Sequence, residues 1–222
     1  MDTVITQKGG YIVSQAWHHH YPLNFGNNIP VLNAVALHTI GDGSCLIHAI
    51  VQAFYRPYIF NQIDRRQFVR DLRKALSDKL DQPVDGQKID SSGKKLIWYD
   101  FINRGGLSKL QSDPGVVPKE LVERMKLINM KNELNSYTPL DNLYDDYISK
   151  LLNKNIFVID LHTMSVKYNI DKEMLLDPQR PCVVILDKSG HYETVGIKEQ
   201  GIISTYFSWD HPFIVQLRLL ME

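Results

Sequence analysis

In the stretch "IGDGSCLIHAIVQAF" (40–54) a polar, glycine-rich turn runs straight into an apolar segment, and Cys45 stands at the join. A side chain at the first position of a helix sits among backbone N–H groups that lack intrahelical partners, at the positive end of the helix dipole. That setting favours an anion. For a cysteine the anion is the thiolate, its nucleophilic form, and thiols at helix N-termini have lowered pKa values. The same N–H groups can hold the oxyanion that forms when a thiolate attacks a carbonyl, because Gly41 and Gly43 let the turn come close to a substrate. A lone cysteine is more often a small apolar residue packed at a helix start. The chemistry therefore needs a base.

Eight histidines compete for that role. His18, His19 and His20 fall in a polar stretch and read as solvated, and His38, just before the turn, reads as a core or turn residue. His48 projects from the same helix as Cys45 and is poorly placed to face it across a substrate. His162 and His211 stand near predicted strand ends with no acid at a useful spacing. His191 differs: it opens a predicted strand after "DKSG", and the period of two puts Glu193 on the same sheet face, beside its ring. A carboxylate there accepts from one imidazole nitrogen and leaves the other for the thiol, the arrangement of acyl-transfer triads. Alone, "HYE" also fits a surface hairpin with an incidental pair.

The elements that must position these groups fall into two halves. "IPVLNAVALHTI" (29–40) predicts an extended segment feeding the turn, and "CLIHAIVQAFY" a mostly buried helix ending before Pro57. "NQIDRRQFVRDLRKALSDKL" (61–80) predicts a surface helix with Asn61 as N-cap and Phe68, Leu72, Ala75, Leu76 and Leu80 on one face. Further helices are expected over 94–106, closed by glycine, over 118–130, and after Thr138, with Thr138 as cap, Pro139 at the first position and Asp141 completing a capping box. Then the composition turns to Val, Ile and Phe: "NIFVIDL" (155–161), "PCVVILD" (181–187), "HYETVGI" (191–197) and the tail "PFIVQLRLL" predict strands, with "DKSG" as a hairpin turn. Helices followed by strands imply α+β packing rather than a doubly wound alternation. Residues 1–28 lack sustained periodicity and read as an N-terminal extension ahead of a domain over 29–222.

Composition bounds the function. With 222 residues and 44% apolar content the chain can bury a real core, and with 25 basic against 25 acidic side chains no global field draws it to nucleic acid or to an anionic membrane. No segment reads as a signal peptide or as the roughly 20 apolar residues of a membrane helix, so a soluble, cytoplasmic protein is expected. The two cysteines, Cys45 and Cys182, cannot form a disulfide framework.

"GDGSCLIHAI" and "GHYETVGI" together resemble the two signature boxes of the ovarian tumour (OTU) family of cysteine deubiquitinases. Asp42, Gly43, Ser44, Cys45, Leu46, His48 and Ala49 fit the first box; His191, Tyr192 and Glu193 fit the second. The likeness is carried by residues 29–60 and 155–198. It implies a papain-like fold, with a small central sheet flanked by helices, and hydrolysis of the (iso)peptide bond at the C-terminal glycine of ubiquitin through a thioester on Cys45. His191 would be the base and Glu193 its orienting acid, where the family commonly carries Asp or Asn. Asp42 would join the catalytic set through the oxyanion loop, whose backbone N–H groups run over Asp42, Gly43, Ser44 and Cys45. Tyr192 would either line a narrow channel for the substrate's two glycines or simply pack in the core. The resemblance implies no metal and no organic cofactor, and ubiquitin or polyubiquitin chains as partners of a monomer; in a viral or bacterial effector the site of action would be the host cytoplasm. Open alternatives are a catalytically inactive OTU-fold module that binds ubiquitin, a thiol hydrolase acting on a ubiquitin-like modifier, and a zinc protein, for which the spacings fit no ligand pattern.

Overall fold

The computed structural model describes residues 12–13, 19–26, 29, 31–84, 93, 95–100, 126–140, 142–167 and 176–221, and all that follows concerns these. The β-branched and aromatic runs of the second half form strands β4 (Asn155–Asp160), β5 (Ser165–Lys167), β6 (Cys182–Asp187), β7 (Tyr192–Glu199) and β8 (Ile202–Ser204). The first half adds β1 (Ile12–Val13), β2 (His20–Pro22) and β3 (Ala34–Leu37). Together they make an eight-stranded open sheet with the order β1-β8-β7-β6-β4-β5 and with β3 and then β2 joined to β7. β4 and β6 run parallel; the other pairs are antiparallel.

β7 organises the sheet. β6 pairs with it over Tyr192 to Val195 and β3 over Thr194 to Ile197, so these partners lie on opposite edges of β7. Two apolar cores result, one per face. Along β4 and β6, Ile156, Val158, Val183 and Ile185 point into one core, and Phe157, Ile159, Val184 and Leu186 into the other. Burial on both faces explains why these strands read as unbroken apolar runs rather than alternating ones.

The first core is closed by α1 (Cys45–Gln52), α3 (Arg65–Lys79), α4 (Leu127–Asn135) and α5 (Asp145–Leu152), with the one-turn α2 (Arg56–Ile59) after α1. Every residue of α1 is buried, and two threonines fasten it to the sheet: Thr194 Oγ1 donates to Ala49 O at 2.7 Å and Thr205 Oγ1 to Ala53 O at 2.8 Å. The second core is closed by α6 (Pro212–Leu219). The result is a mixed α+β fold, a central open sheet flanked by helices.

Several expectations are corrected. The tail read as a strand is α6: Pro212 occupies its first turn, His211 Nδ1 accepts from Phe213 N at 3.2 Å, and Phe213, Ile214 and Leu217 bury at helical spacing. A short apolar run does not distinguish the two periods. α3 is capped by Asp64, which accepts from Gln67 N at 2.9 Å, not by Asn61, whose φ of 54° is left-handed. α5 starts at Asp145 after a 3-10 turn over Asn142–Tyr144, leaving Thr138 and Pro139 outside the helix. Asp141, residues 101–106 and residues 118–125 lie outside the described residues, as does His18. His20–Pro22, in the segment read as an extension, pairs with β3.

Candidate active site

The sheet separates the parts of the site and then reunites them at its end. α1 packs on the face of Tyr192 and Thr194, whereas the alternation along β7 sends Glu193 to the other face. They meet where β7 begins. Cys45 opens α1 and is almost fully buried, and its Sγ lies 3.6 Å from the carbonyl oxygen of Gly190, to which the thiol donates. The backbone N–H of Tyr192 also points at the sulfur. Cys45 therefore abuts both chain neighbours of His191, across 145 residues of sequence from Gly190.

Burial pushes the Cys45 thiol above its ordinary value, and the charge of Asp42 adds to this. The backbone N–H groups of Tyr192, Leu46 and Cys45 offset it only in part. The lowered pKa expected from the helix N-terminus is not met: desolvation of a buried thiolate outweighs the helix end. The resting group is a thiol.

The turn carrying His191 is braced. Asp187 Oδ1 accepts from Gly190 N at 2.8 Å, Lys188 N donates to His191 O at 2.8 Å, and His162 Nε2 hydrogen-bonds Ser189 Oγ. Gly190, with φ of 91°, takes a backbone form that side chains disfavour. The His191 ring rests on the glycine turn: a β-carbon added to Gly41 would stand 3.7 Å from its Cε1 and 3.9 Å from its Nδ1. Nε2 faces Glu193, 3.8 Å from Oε1. The ring thus lays its Cε1–Nδ1 edge against Gly41, at the start of the turn that leads to Cys45.

Glu193 is almost completely buried and serves several groups besides His191. Tyr21 O–H donates to Oε2, His38 Nδ1 lies 2.8 Å from Oε1, and Lys188 Nζ lies 3.4 Å from Oε1. Burial raises its pKa, yet the hydrogen bonds from Tyr21 and His38 and the charge of Lys188 more than compensate, leaving the carboxyl below its ordinary value and ionised at neutral pH.

The glycine turn ahead of α1 has its own scaffold. Asp42 Oδ1 accepts from Ser44 N at 3.1 Å, and His48 Nε2 donates to Oδ2 at 3.3 Å. Tyr58 O–H donates to His48 Nδ1 at 2.6 Å, which fixes the neutral tautomer; burial lowers the His48 pKa despite Asp42. Gly43 has φ of 80°, and a β-carbon there would lie 2.1 Å from Tyr137 O. Beneath it Arg73, almost fully buried, donates to Gly43 O at 3.1 Å, Ser44 Oγ at 2.9 Å, Leu134 O at 2.9 Å and Thr138 O at 3.0 Å. One guanidinium thus ties the turn to α3 and to the segment after α4.

Of the expected site residues, Asp42, Gly43, Ser44, Cys45, His191 and Glu193 converge on this corner. Tyr192 is buried in the apolar cluster that includes Cys45, on the face opposite Glu193. His48 supports the turn and does not face Cys45 as a base. Sequence reasoning missed Tyr21, His38 and Arg73. Arg73 left a signal, a cation on the apolar stripe of Val69, Leu72 and Leu76. His38 stands opposite Glu193 only once the β3–β7 register, Leu37 against Thr194, is known.

Among the described residues no cluster of three or more His, Cys, Asp or Glu side chains is placed to hold a metal ion, and no helix is long and apolar enough to cross a membrane. A cavity of about 220 Å³, lined by Arg70, Arg73, Lys74 and Tyr137 among others, lies on the α3 side of the turn, away from His191.

No family model matches the sequence, and no curated protein matches it. Among solved structures, the chain is similar to an ovarian tumour (OTU) domain in complex with ubiquitin, at 18% identity over 84% of this chain and 83% of that one, with a TM-score of 0.48. It is also similar to the OTU domain of OTUD1, at 16% identity over 73% of this chain and 85% of that one, with a TM-score of 0.40. Likeness this distant carries no weight for function, which rests on the chain's own residues.

Proposed function

We propose that this protein is a cysteine hydrolase of the OTU family that cleaves (iso)peptide bonds at the C-terminal glycine of ubiquitin, in polyubiquitin chains or on other proteins. The observation that carries the reading is the convergence of Cys45, in the sequence "GDGSC", with the backbone on both sides of His191, in "HYE". An incidental cysteine would have no reason to abut the backbone that carries a histidine whose Nε2 faces a buried carboxylate.

The reaction would run as an acyl transfer. His191 Nδ1 takes the proton of the Cys45 thiol as Sγ attacks the glycine carbonyl carbon. The oxyanion is received by backbone N–H groups of the Asp42 to Cys45 turn, held in shape by Arg73 and by the Asp42–His48 pair. The imidazolium, stabilised by Glu193, then gives its proton to the departing amine, the C–N bond breaks, and a thioester remains on Cys45. Water, losing a proton to the same imidazole, attacks the thioester and releases the ubiquitin carboxylate and the thiol.

Each of the eight di-ubiquitin linkages incubated with wild type and with Cys45→Ala tests this. Wild type is expected to cleave at least one linkage and the variant none. Folded wild type that cleaves no linkage yet binds ubiquitin would overturn the hydrolase in favour of a binding module.

A further inference from the structure

Glu193 has one more rotatable bond than aspartate, so a buried glutamate facing an imidazole needs something to fix it. Tyr21 holds Oε2. Oε1 is shared, with His38 Nδ1 at 2.8 Å and His191 Nε2 at 3.8 Å on the same oxygen, and Lys188 Nζ at 3.4 Å. The rings of Tyr21 and His38 lie 5.0 Å apart, and Lys188 Nζ stands 5.1 Å from the centre of the Tyr21 ring. This arrangement follows from pairing. Tyr21 lies opposite Ala36 and Leu37 opposite Thr194, so Tyr21, His38 and Glu193 share one sheet face, and His38 stands directly across from Glu193.

Resting on the reading of Cys45, His191 and Glu193 as one catalytic unit, we infer that Tyr21 and His38 are positioning residues. The β2–β3 hairpin aims the Glu193 carboxylate, and through it the His191 ring, at Cys45. Neither residue touches the thiol. With Tyr21 on one oxygen, the carboxylate plane is set and its other oxygen is directed to the two imidazoles. Without it the Glu193 side chain can rotate, and the His191 ring loses the partner that selects its tautomer. The hairpin that precedes the catalytic turn in sequence thereby becomes part of the site.

The test uses the full chain and the rate at which iodoacetamide alkylates Cys45, followed by mass spectrometry from about pH 6 to about pH 9, which reports proton transfer from thiol to imidazole without any ubiquitin. The groups that face the carboxylate are Tyr21, His38, Lys188 and His191, and Asp42 acts on the sulfur by its charge. Tyr21→Phe and His38→Leu are each expected to slow alkylation near neutrality by about fivefold or more, and His38→Gln, which keeps an N–H donor, to lose less. In a Glu193→Gln background the same substitutions should have no further effect. Equal losses with and without Glu193, or no loss from the conservative Tyr21→Phe, would overturn the inference. Failure of wild type to cleave ubiquitin substrates, with the non-additive pattern intact, would instead sink the substrate assignment and leave the positioning role standing.

Discussion

Cys45 and His48 illustrate how burial decides chemistry on one short helix. Desolvation raises the Cys45 thiol, so attack by this sulfur would need a base to take its proton rather than start from a standing ion pair. Cys45→Ala should abolish turnover, whereas Cys182→Ala should leave it largely intact, because the Cys182 thiol is buried in β6 and pushed up to about 11. Steady-state cleavage by the two variants, with circular dichroism to verify folding, checks this. His48 gives a stability prediction. Its folded pKa lies below the ordinary 6.5, so the unfolded chain binds a proton that the native protein refuses as pH falls beneath that value. Its contribution to stability is thus present above pH 6.5 and lost on acidification. Thermal melts of wild type should drop between about pH 7 and about pH 5.5, and His48→Gln should drop less over that window.

The elements act through their junctions. α1 is fastened to β7 by Thr194 and its end is held by Thr205, so Thr194→Val, which leaves Ala49 O without its donor, should cost about 1 to 2 kcal/mol by urea denaturation. The turn ahead of α1 is less forgiving. Gly43→Ala would drive a methyl group into Tyr137 O and demand a left-handed backbone, so kcat should fall far more than KM rises if the turn holds the oxyanion. The turn itself was legible in "GDGSC", since glycine spacing and a following apolar run mark it locally. The same holds for β4, β6 and β7, whose β-branched runs need no tertiary information. α6 was not legible, because "PFIVQLRLL" satisfies both periods at that length and its helical choice depends on the core it covers. Asn61 was misread as a cap because Asn favours both N-caps and left-handed turns, and here the turn won.

Across the molecule, Cys45 and Glu193 belong to opposite faces of one sheet with an apolar core on each, and the start of β7 brings the backbone beside His191 to Cys45 and the His191 ring to Glu193. The Cys45 and His191 boxes could be read in the sequence because the chemistry restricts residue types near each. The contribution of Tyr21 and His38 could not, since it arises from strand register, which no local pattern encodes; Arg73 stood out as a cation on an apolar stripe, but its partners come from a loop folding back on α3. Ubiquitin carrying an electrophilic C-terminus tests the juxtaposition most directly, with the adduct mapped by peptide mass spectrometry on wild type and on His191→Ala. One ubiquitin is expected on wild type, bound through Cys45, and little or none on His191→Ala. Folded wild type that forms no adduct, or forms it on Cys182, would contradict it.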